Sequence, residues 1–266
     1  MKPDSIELLL SPITHEPLRL VTAQATNGAN DYLEAATSGE RFPICDGIPW
    51  LIDQQQVVEY NRKYQRFYNL VAPFYDSALR LGARFTSGSE DEHRMEYMSE
   101  LEVGPGDRFL EVSIGTGTNI KYLPAGVDCY GLDISHAMLK QCQKNLKSWG
   151  REVEMFLGNA EALPFEDEQF DSVLHVGGIN AFNDRQQAIH EMIRVARPGC
   201  KIVIVDESAR LVEKMSWLPG AKRMMRRHRE RFEAPVSLVP TTMREIAVKD
   251  VMQGDLYCLS FRKPED

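Results

Sequence analysis

From Arg108 onward, short apolar runs alternate with stretches whose apolar residues recur every three or four positions. The runs Arg108–Ser113, Val127–Asp133, Glu152–Leu157, Phe170–His175 and Lys201–Asp206 predict strands. After Asp133, the residues Met138, Leu139, Cys142, Leu146 and Trp149 share one helical face, with Ser135 placed to cap its start and Gly150 to close its end. A second helix follows Asn183, with Ala188, Ile189, Met192, Ile193 and Ala196 on one face, and is expected to stop at Pro198-Gly199. This alternation predicts βαβ units and a parallel sheet covered by helices on both faces. The last two runs, Ile246–Met252 and Leu256–Arg262, lie too close together for anything but an antiparallel hairpin at the sheet edge. The expected fold is α/β, a doubly wound seven-stranded sheet with its last strand antiparallel.

The earlier part of the chain has a different texture. Residues 1–56 are short apolar pieces broken by Pro43, Gly47 and Pro49, with Asn27-Gly28 as a hairpin signal, and predict a small β-rich module. Residues 57–102 read as a helical cap or linker. There Tyr60, Tyr64, Phe67, Tyr68 and Val71 form one stripe, and Ser89 with Glu92 makes a capping box for a second helix running to about Leu101. Residues 103–266 make up the main domain, with about 211–240 as a lid between its fifth strand and the final hairpin.

Composition narrows the function classes. Of 266 residues, 43% are hydrophobic and 26% charged, which fits a globular chain with ample core. No apolar run approaches the ~18 residues of a spanning helix, and residues 1–18 do not read as a signal peptide, so the expected location is the cytoplasm. A net charge of −8 argues against nucleic acid as the main partner. The five cysteines (Cys45, Cys129, Cys142, Cys200 and Cys258) are scattered with no C-x-x-C pair, so reduced thiols and no metal site are expected.

The segment Glu111-Val112-Ser113-Ile114-Gly115-Thr116-Gly117 carries the chemistry. A glycine-rich turn after a first strand lets a ligand lie against bare backbone at the carboxyl edge of a sheet. The dinucleotide fingerprint needs a further glycine where Ile120 stands, and no Gly-Lys-Ser/Thr follows for a P-loop. Glu111, inside the strand, is a poor neighbour for a diphosphate and suits a cationic ligand. S-adenosylmethionine fits that description, with an ammonium, a sulfonium and no phosphate. Asp133 at the second strand tip can accept both ribose hydroxyls. Asn159 at the third can meet the adenine edge, with Ile134 or Leu163 flanking the ring.

These residues resemble a known family. Glu111-x-Ser113-x-Gly115-x-Gly117, Gly131-Leu132-Asp133-Ile134-Ser135, Asn159-Ala160-Glu161-x-Leu163-Pro164-Phe165, Phe170-Asp171 and Arg194-Val195-x-Arg197-Pro198-Gly199 look like the class I S-adenosylmethionine-dependent methyltransferases. They are most similar to the branch containing the ubiquinone/menaquinone C-methyltransferases, as is Ala72-Pro73-Phe74-Tyr75-Asp76. The resemblance implies a Rossmann-like fold, S-adenosylmethionine as cofactor, and Tyr75, Glu111, Ser113, Gly115, Gly117, Asp133, Ile134, Asn159, Ala160 and His175 around it. Two positions depart from the pattern: Ser113 stands where glycine is usual, and Asn159 where aspartate is usual.

The N-terminal module resembles a small zinc-ribbon family that activates or fuses to methyltransferases. The frame survives in Ser11-Pro12-Ile13-Thr14 and Phe42-Pro43-Ile44-Cys45-Asp46-Gly47-Ile48-Pro49, but Ser11 and Thr14 occupy ligand positions where zinc needs thiolates. The module is therefore expected to be metal-free, either as a platform for substrate or partner or as a stabilising cap.

Methyl transfer from a sulfonium needs an oriented nucleophile in a dry site, with a general base where the acceptor is a hydroxyl or an acidic carbon. The loop His175–Phe182 should border the acceptor, with His175 as the base candidate and Asn180 as an acceptor contact. The lid contributes Trp217, Arg226 and Arg227, and six of the ten residues from Lys222 to Arg231 are basic. That run reads as a solvated face, or as arginines holding an anionic head or a membrane surface. The leading expectation is methylation of a small, apolar or lipid-like acceptor at carbon or oxygen. An RNA base methyltransferase and a non-catalytic, cofactor-binding or partner-activating subunit are the alternatives.

Overall fold

The computed structural model describes residues 2–22, 31–53, 61–63, 65–72, 89–214 and 229–265. A short helix α1 (Pro3–Ile6) leads into an antiparallel meander of β1 (Leu18–Val21), β2 (Tyr32–Ala35), β3 (Arg41–Cys45) and β4 (Ile48–Leu51). Helical residues 61–63 and 65–72 (α2) and α3 (Glu90–Met98) come next. The main domain contains β5 (Arg108–Val112), β6 (Asp128–Asp133), α4 (His136–Trp149), β7 (Glu154–Gly158) and β8 (Phe170–Val176). It continues through α5 (Arg185–Val195), β9 (Ala196–Glu207), α6 (Ala209–Lys214), β10 (Arg244–Val251) and β11 (Leu256–Arg262).

The seven strands of this domain lie in the order β7-β6-β5-β8-β9-β11-β10. The first five run parallel, and β11 is antiparallel to both β9 and β10. The expected doubly wound sheet with an antiparallel last strand is therefore present. Strand order reverses between β5 and β8, and such a switch point opens a crevice beyond the carboxyl ends of the strands.

Side chains alternate between two apolar layers. Leu110 and Val112 of β5, with Ile202 and Ile204 of β9, pack on the α5 side against Ala188, Ile189, Met192 and Val195. Phe109, Val203 and Val205 point the other way, into a layer closed by Leu139, Cys142 and Leu146 of α4 and by Tyr97 and Met98 of α3. Capping follows the sequence. Ser89 and Glu92 form the reciprocal capping box, Ser135 Oγ accepts from the Met138 N–H, and Gly150 closes α4 in the left-handed region at φ 63°.

Several boundaries differ from expectation. The turn after β5 leads to a 3₁₀ turn (Thr118–Tyr122) and not a full helix. The connection from β7 to β8 has no helix, because Phe165 is drawn into the core and Arg194 binds the Leu163 and Phe165 carbonyls. Strand β9 starts at Ala196, directly after α5, so Pro198-Gly199 falls inside it. On α2 the inward face is Asn61, Gln65, Tyr68 and Ala72, and Phe67 points outward. Of the other stripe positions, Val71 is half-buried, and Tyr60 and Tyr64 lie outside the described residues.

The N-terminal module is joined to the main sheet. Strand β4 pairs in parallel with β7 (Trp50 opposite Leu157, Leu51 opposite Gly158), which makes one sheet of eleven strands among the described residues. Leu8, Leu9, Leu33, Phe42 and Leu51 share an apolar layer with Phe156 and Phe165. Ser11 fixes its turn by hydrogen bonds: Oγ donates to Glu40 and accepts from the Ile13 and Thr14 N–H groups.

Candidate active site

A crevice of about 450 Å³ opens over the carboxyl ends of β5 to β9. That volume lies in the range of small-molecule sites. Glu111 ends up beneath it because β5 is buried on both faces, and only 1% of the residue is exposed. Its Oε1 accepts from Asn119 Nδ2 at 2.6 Å, while its Oε2 is buried with no hydrogen-bond partner. Burial pushes its carboxyl up to about 8, partly opposed by the Asn119 hydrogen bond and by Arg94. Asn119 is held in turn by Arg94 Nη1 (2.6 Å) and the Tyr97 hydroxyl (2.9 Å), both donating to its Oδ1.

Asp133 completes the polar end. The Gly115 N–H donates to its Oδ2 and the Ser135 N–H to its Oδ1, each at 2.8 Å. Burial raises its carboxyl to about 6, against the pull of those backbone donors. The glycine-rich turn and the second strand tip are thus one hydrogen-bonded unit.

Ser113 lines the crevice with φ 62°, in the left-handed region where a side chain is strained. That conformation is a physical reason for glycine at this position. Gly115, Ile134, Asn159 and Ala160 also line it. Asn159 Oδ1 accepts from the Glu161 N–H at 3.1 Å, which leaves its amide nitrogen as the group for a ligand.

Three expected site residues sit elsewhere. Gly117 lies below the crevice, where a Cβ would come within 2.6 Å of Cys142 Sγ, so its role is packing against α4. His175 is 0% exposed and does not reach the crevice. Its Nδ1–H donates to the Val112 carbonyl at 2.9 Å, and burial lowers its pKa to about 4, so it is neutral and sealed from solvent. It is withdrawn as a base and as a cofactor contact. The Asn180 side chain is spent bracing its loop, since Nδ2 donates to the Glu207 carbonyl and Oδ1 accepts from the Tyr257 hydroxyl. Tyr75, Trp217, Arg226 and Arg227 lie outside the described residues.

Sequence reasoning missed the crevice residues brought by the preceding helices. His93 and Arg94 come from α3, and Asn61 and Tyr68 from α2. Asn61 Nδ2 donates to Glu161 Oε1 and Gln65 Nε2 to the Ile134 carbonyl, each at 2.9 Å, so α2 lies across the polar end as a cover. The opposite end is lined by Phe182, Val205, Leu211, Met252 and Leu256, with Asp206 and Glu207 among them. Asp206 is buried, which raises its pKa, and it accepts from the Gly178, Asn180 and Glu207 N–H groups.

Comparison with known proteins agrees with this architecture. Residues 110–204 match the family model described as a methyltransferase domain. A demethylmenaquinone methyltransferase from Renibacterium salmoninarum is 34% identical over 139 residues, covering 52% of this chain and 56% of that protein. A ubiquinone/menaquinone biosynthesis C-methyltransferase from Geotalea daltonii is 29% identical over 159 residues, covering 58% and 66%. The chain thus spans 56% and 66% of the lengths of these curated relatives. Among solved structures, the cyclase SpnF shares the fold at a TM-score of 0.58 and 17% identity, covering 82% of this chain and 99% of that one.

Sheet order, crevice and the methyltransferase-domain match over residues 110–204 together resemble the class I S-adenosylmethionine-dependent methyltransferases. The cofactor of that class is S-adenosylmethionine, and the site fits it. The unpartnered buried oxygen of Glu111 calls for a cation, and the crevice presents carboxylates where a diphosphate would need donors.

Proposed function

We propose that the protein transfers a methyl group from S-adenosylmethionine to a small apolar acceptor of the quinone type. The observation that carries this reading is the pairing of Glu111, with its unpartnered buried oxygen, and Asp133 at neighbouring strand tips of a crevice whose far end sets apolar side chains beside two carboxylates. The similarity to curated quinone-pathway methyltransferases supports the acceptor class.

When bound, S-adenosylmethionine supplies a methyl already activated on a sulfonium. Glu111 would hold the ammonium, Asp133 the ribose hydroxyls, and the Asn159 amide an adenine ring nitrogen. Arg94, on the same wall, would face the carboxylate of the methionine moiety. Phe182, Leu211 and Leu256 would exclude water and lay an acceptor ring against the donor, which is where most of the rate in such a displacement originates. Asp206 and Glu207 are the carboxylates on that side able to take the proton the acceptor gives up as its new bond forms.

The test is incubation with S-adenosylmethionine and a panel of reduced benzo- and naphthoquinones, followed by mass spectrometry. The expected result is S-adenosylhomocysteine appearing in step with a singly methylated product. Tight cofactor binding with no product from any member of the panel would overturn the acceptor class.

A further inference from the structure

The cover helix α2 has two opposite faces. Asn61, Gln65, Tyr68 and Ala72 fall on one side of a 100°-per-residue wheel and meet the domain. Arg62, Lys63, Arg66, Phe67 and Leu70 fall together on the other side, all exposed, with Phe67 at 53% and Leu70 at 76%. Leu70 lies at the centre of that face, between Arg66 and Lys63. No acidic residue occurs from position 61 to 72, although the chain as a whole carries −8.

Two large apolar side chains, Phe67 and Leu70, flanked by the cations Lys63 and Arg66 make a surface whose apolar part water serves poorly. A helix with this pattern lies in the interface of an anionic bilayer, its apolar side chains among the acyl chains and its cations at the headgroups. An acidic protein would satisfy the charges but leaves Leu70 and Phe67 needing a matching apolar pocket. A lipid surface supplies both at once.

We infer that the outer face of α2 docks the protein on an anionic lipid surface through Lys63, Arg66, Phe67 and Leu70. The inner face of the same helix bonds to Glu161 and to the Ile134 carbonyl at the crevice, so docking sets the cover of the site against the bilayer. An apolar acceptor dissolved in that bilayer would then reach the crevice without crossing water. The docking itself does not depend on the acceptor's identity, because it is measured without turnover.

The test is co-flotation of the whole protein with vesicles of phosphatidylcholine and phosphatidylglycerol in equal parts, beside phosphatidylcholine alone. Binding is expected on the mixed vesicles only, and it should weaken as salt rises. Each neutralised cation should cost about fivefold, so Lys63→Gln with Arg66→Gln should lower partition about 25-fold. Leu70→Ser should lower it about tenfold. Phe67→Trp should add an emission that shifts to the blue on mixed vesicles. These residues face away from the crevice, so cofactor titration and melting temperature should stay at wild-type values in every variant. No binding to mixed vesicles, equal binding to phosphatidylcholine alone, or binding indifferent to the substitutions would each overturn the inference. Self-association through this face without vesicle binding would overturn it as well.

Discussion

The two ends of the crevice are built in different ways. The polar end is assembled from consecutive strand tips, with Glu111, Gly115, Asp133 and Asn159 held by hydrogen bonds that span few elements. The far end gathers Phe182, Leu211 and the neighbouring Met252 and Leu256 from three separate stretches of chain. Under the proposed function, the chemically constant ligand would be met by local backbone geometry, and the variable one by surfaces that can change without disturbing the sheet. Substitutions at the polar end should affect cofactor affinity, and those at the far end acceptor kinetics.

The strongest challenge to that division is Asp133→Ala. It removes a charged acceptor and leaves the Gly115 and Ser135 N–H groups without partners, so calorimetry should show cofactor affinity falling about 100-fold. If affinity held and only acceptor kinetics changed, the division would be wrong.

Glu111 sharpens the comparison through pH. Burial raises its folded carboxyl from 4.5 to about 8, so its contribution to stability is fully present below about 4.5 and is lost as pH rises through about 8. The melting temperature of the cofactor-free protein should therefore fall by on the order of 10 °C over that range, and Glu111→Gln should flatten the slope. Cofactor binding near neutrality should release a proton, seen by calorimetry in buffers of different ionisation enthalpy, and the variant should abolish that release.

A smaller effect is expected at the cover. Asn61→Ala with Gln65→Ala removes two hydrogen bonds at about 1 kcal/mol each, so stopped-flow measurements should show the cofactor leaving about 30-fold faster. The smallest concerns Ser113. Replacement by glycine relieves its left-handed strain while adding chain entropy, so urea unfolding should show a gain within about 1 kcal/mol.

Much of this was legible in the sequence for identifiable reasons. Strand and helix periods, the Ser89–Glu92 box, Ser135 and Gly150 are local signals, and each appears where its chemistry requires. The expected placement of Glu111 and Asp133 at adjoining strand ends also matches the structure. The errors came from direction. A strand-end position does not say which face a side chain takes, so His175 was assigned to the site although it points into the core. Gly117 belongs to the expected motif but packs against Cys142, a partner that only the folded chain brings close. Asn61 and Arg94 were missed because polar residues on a helix ordinarily face solvent, and nothing local marks those that fold back over a cleft. The pairing of β4 with β7 joins residues about a hundred positions apart, beyond the reach of any periodicity.

That last pairing determines how the chain can be divided. A fragment beginning after the meander would leave the Glu154–Gly158 backbone unpaired at a raw border, with Phe156 and Phe165 stripped of Leu33, Phe42 and Leu51. Bare strand borders recruit strands from other molecules, and the excised domain would be expected to precipitate before it could be assayed. The meander thus covers a strand border that would otherwise lie open, whatever else it contributes.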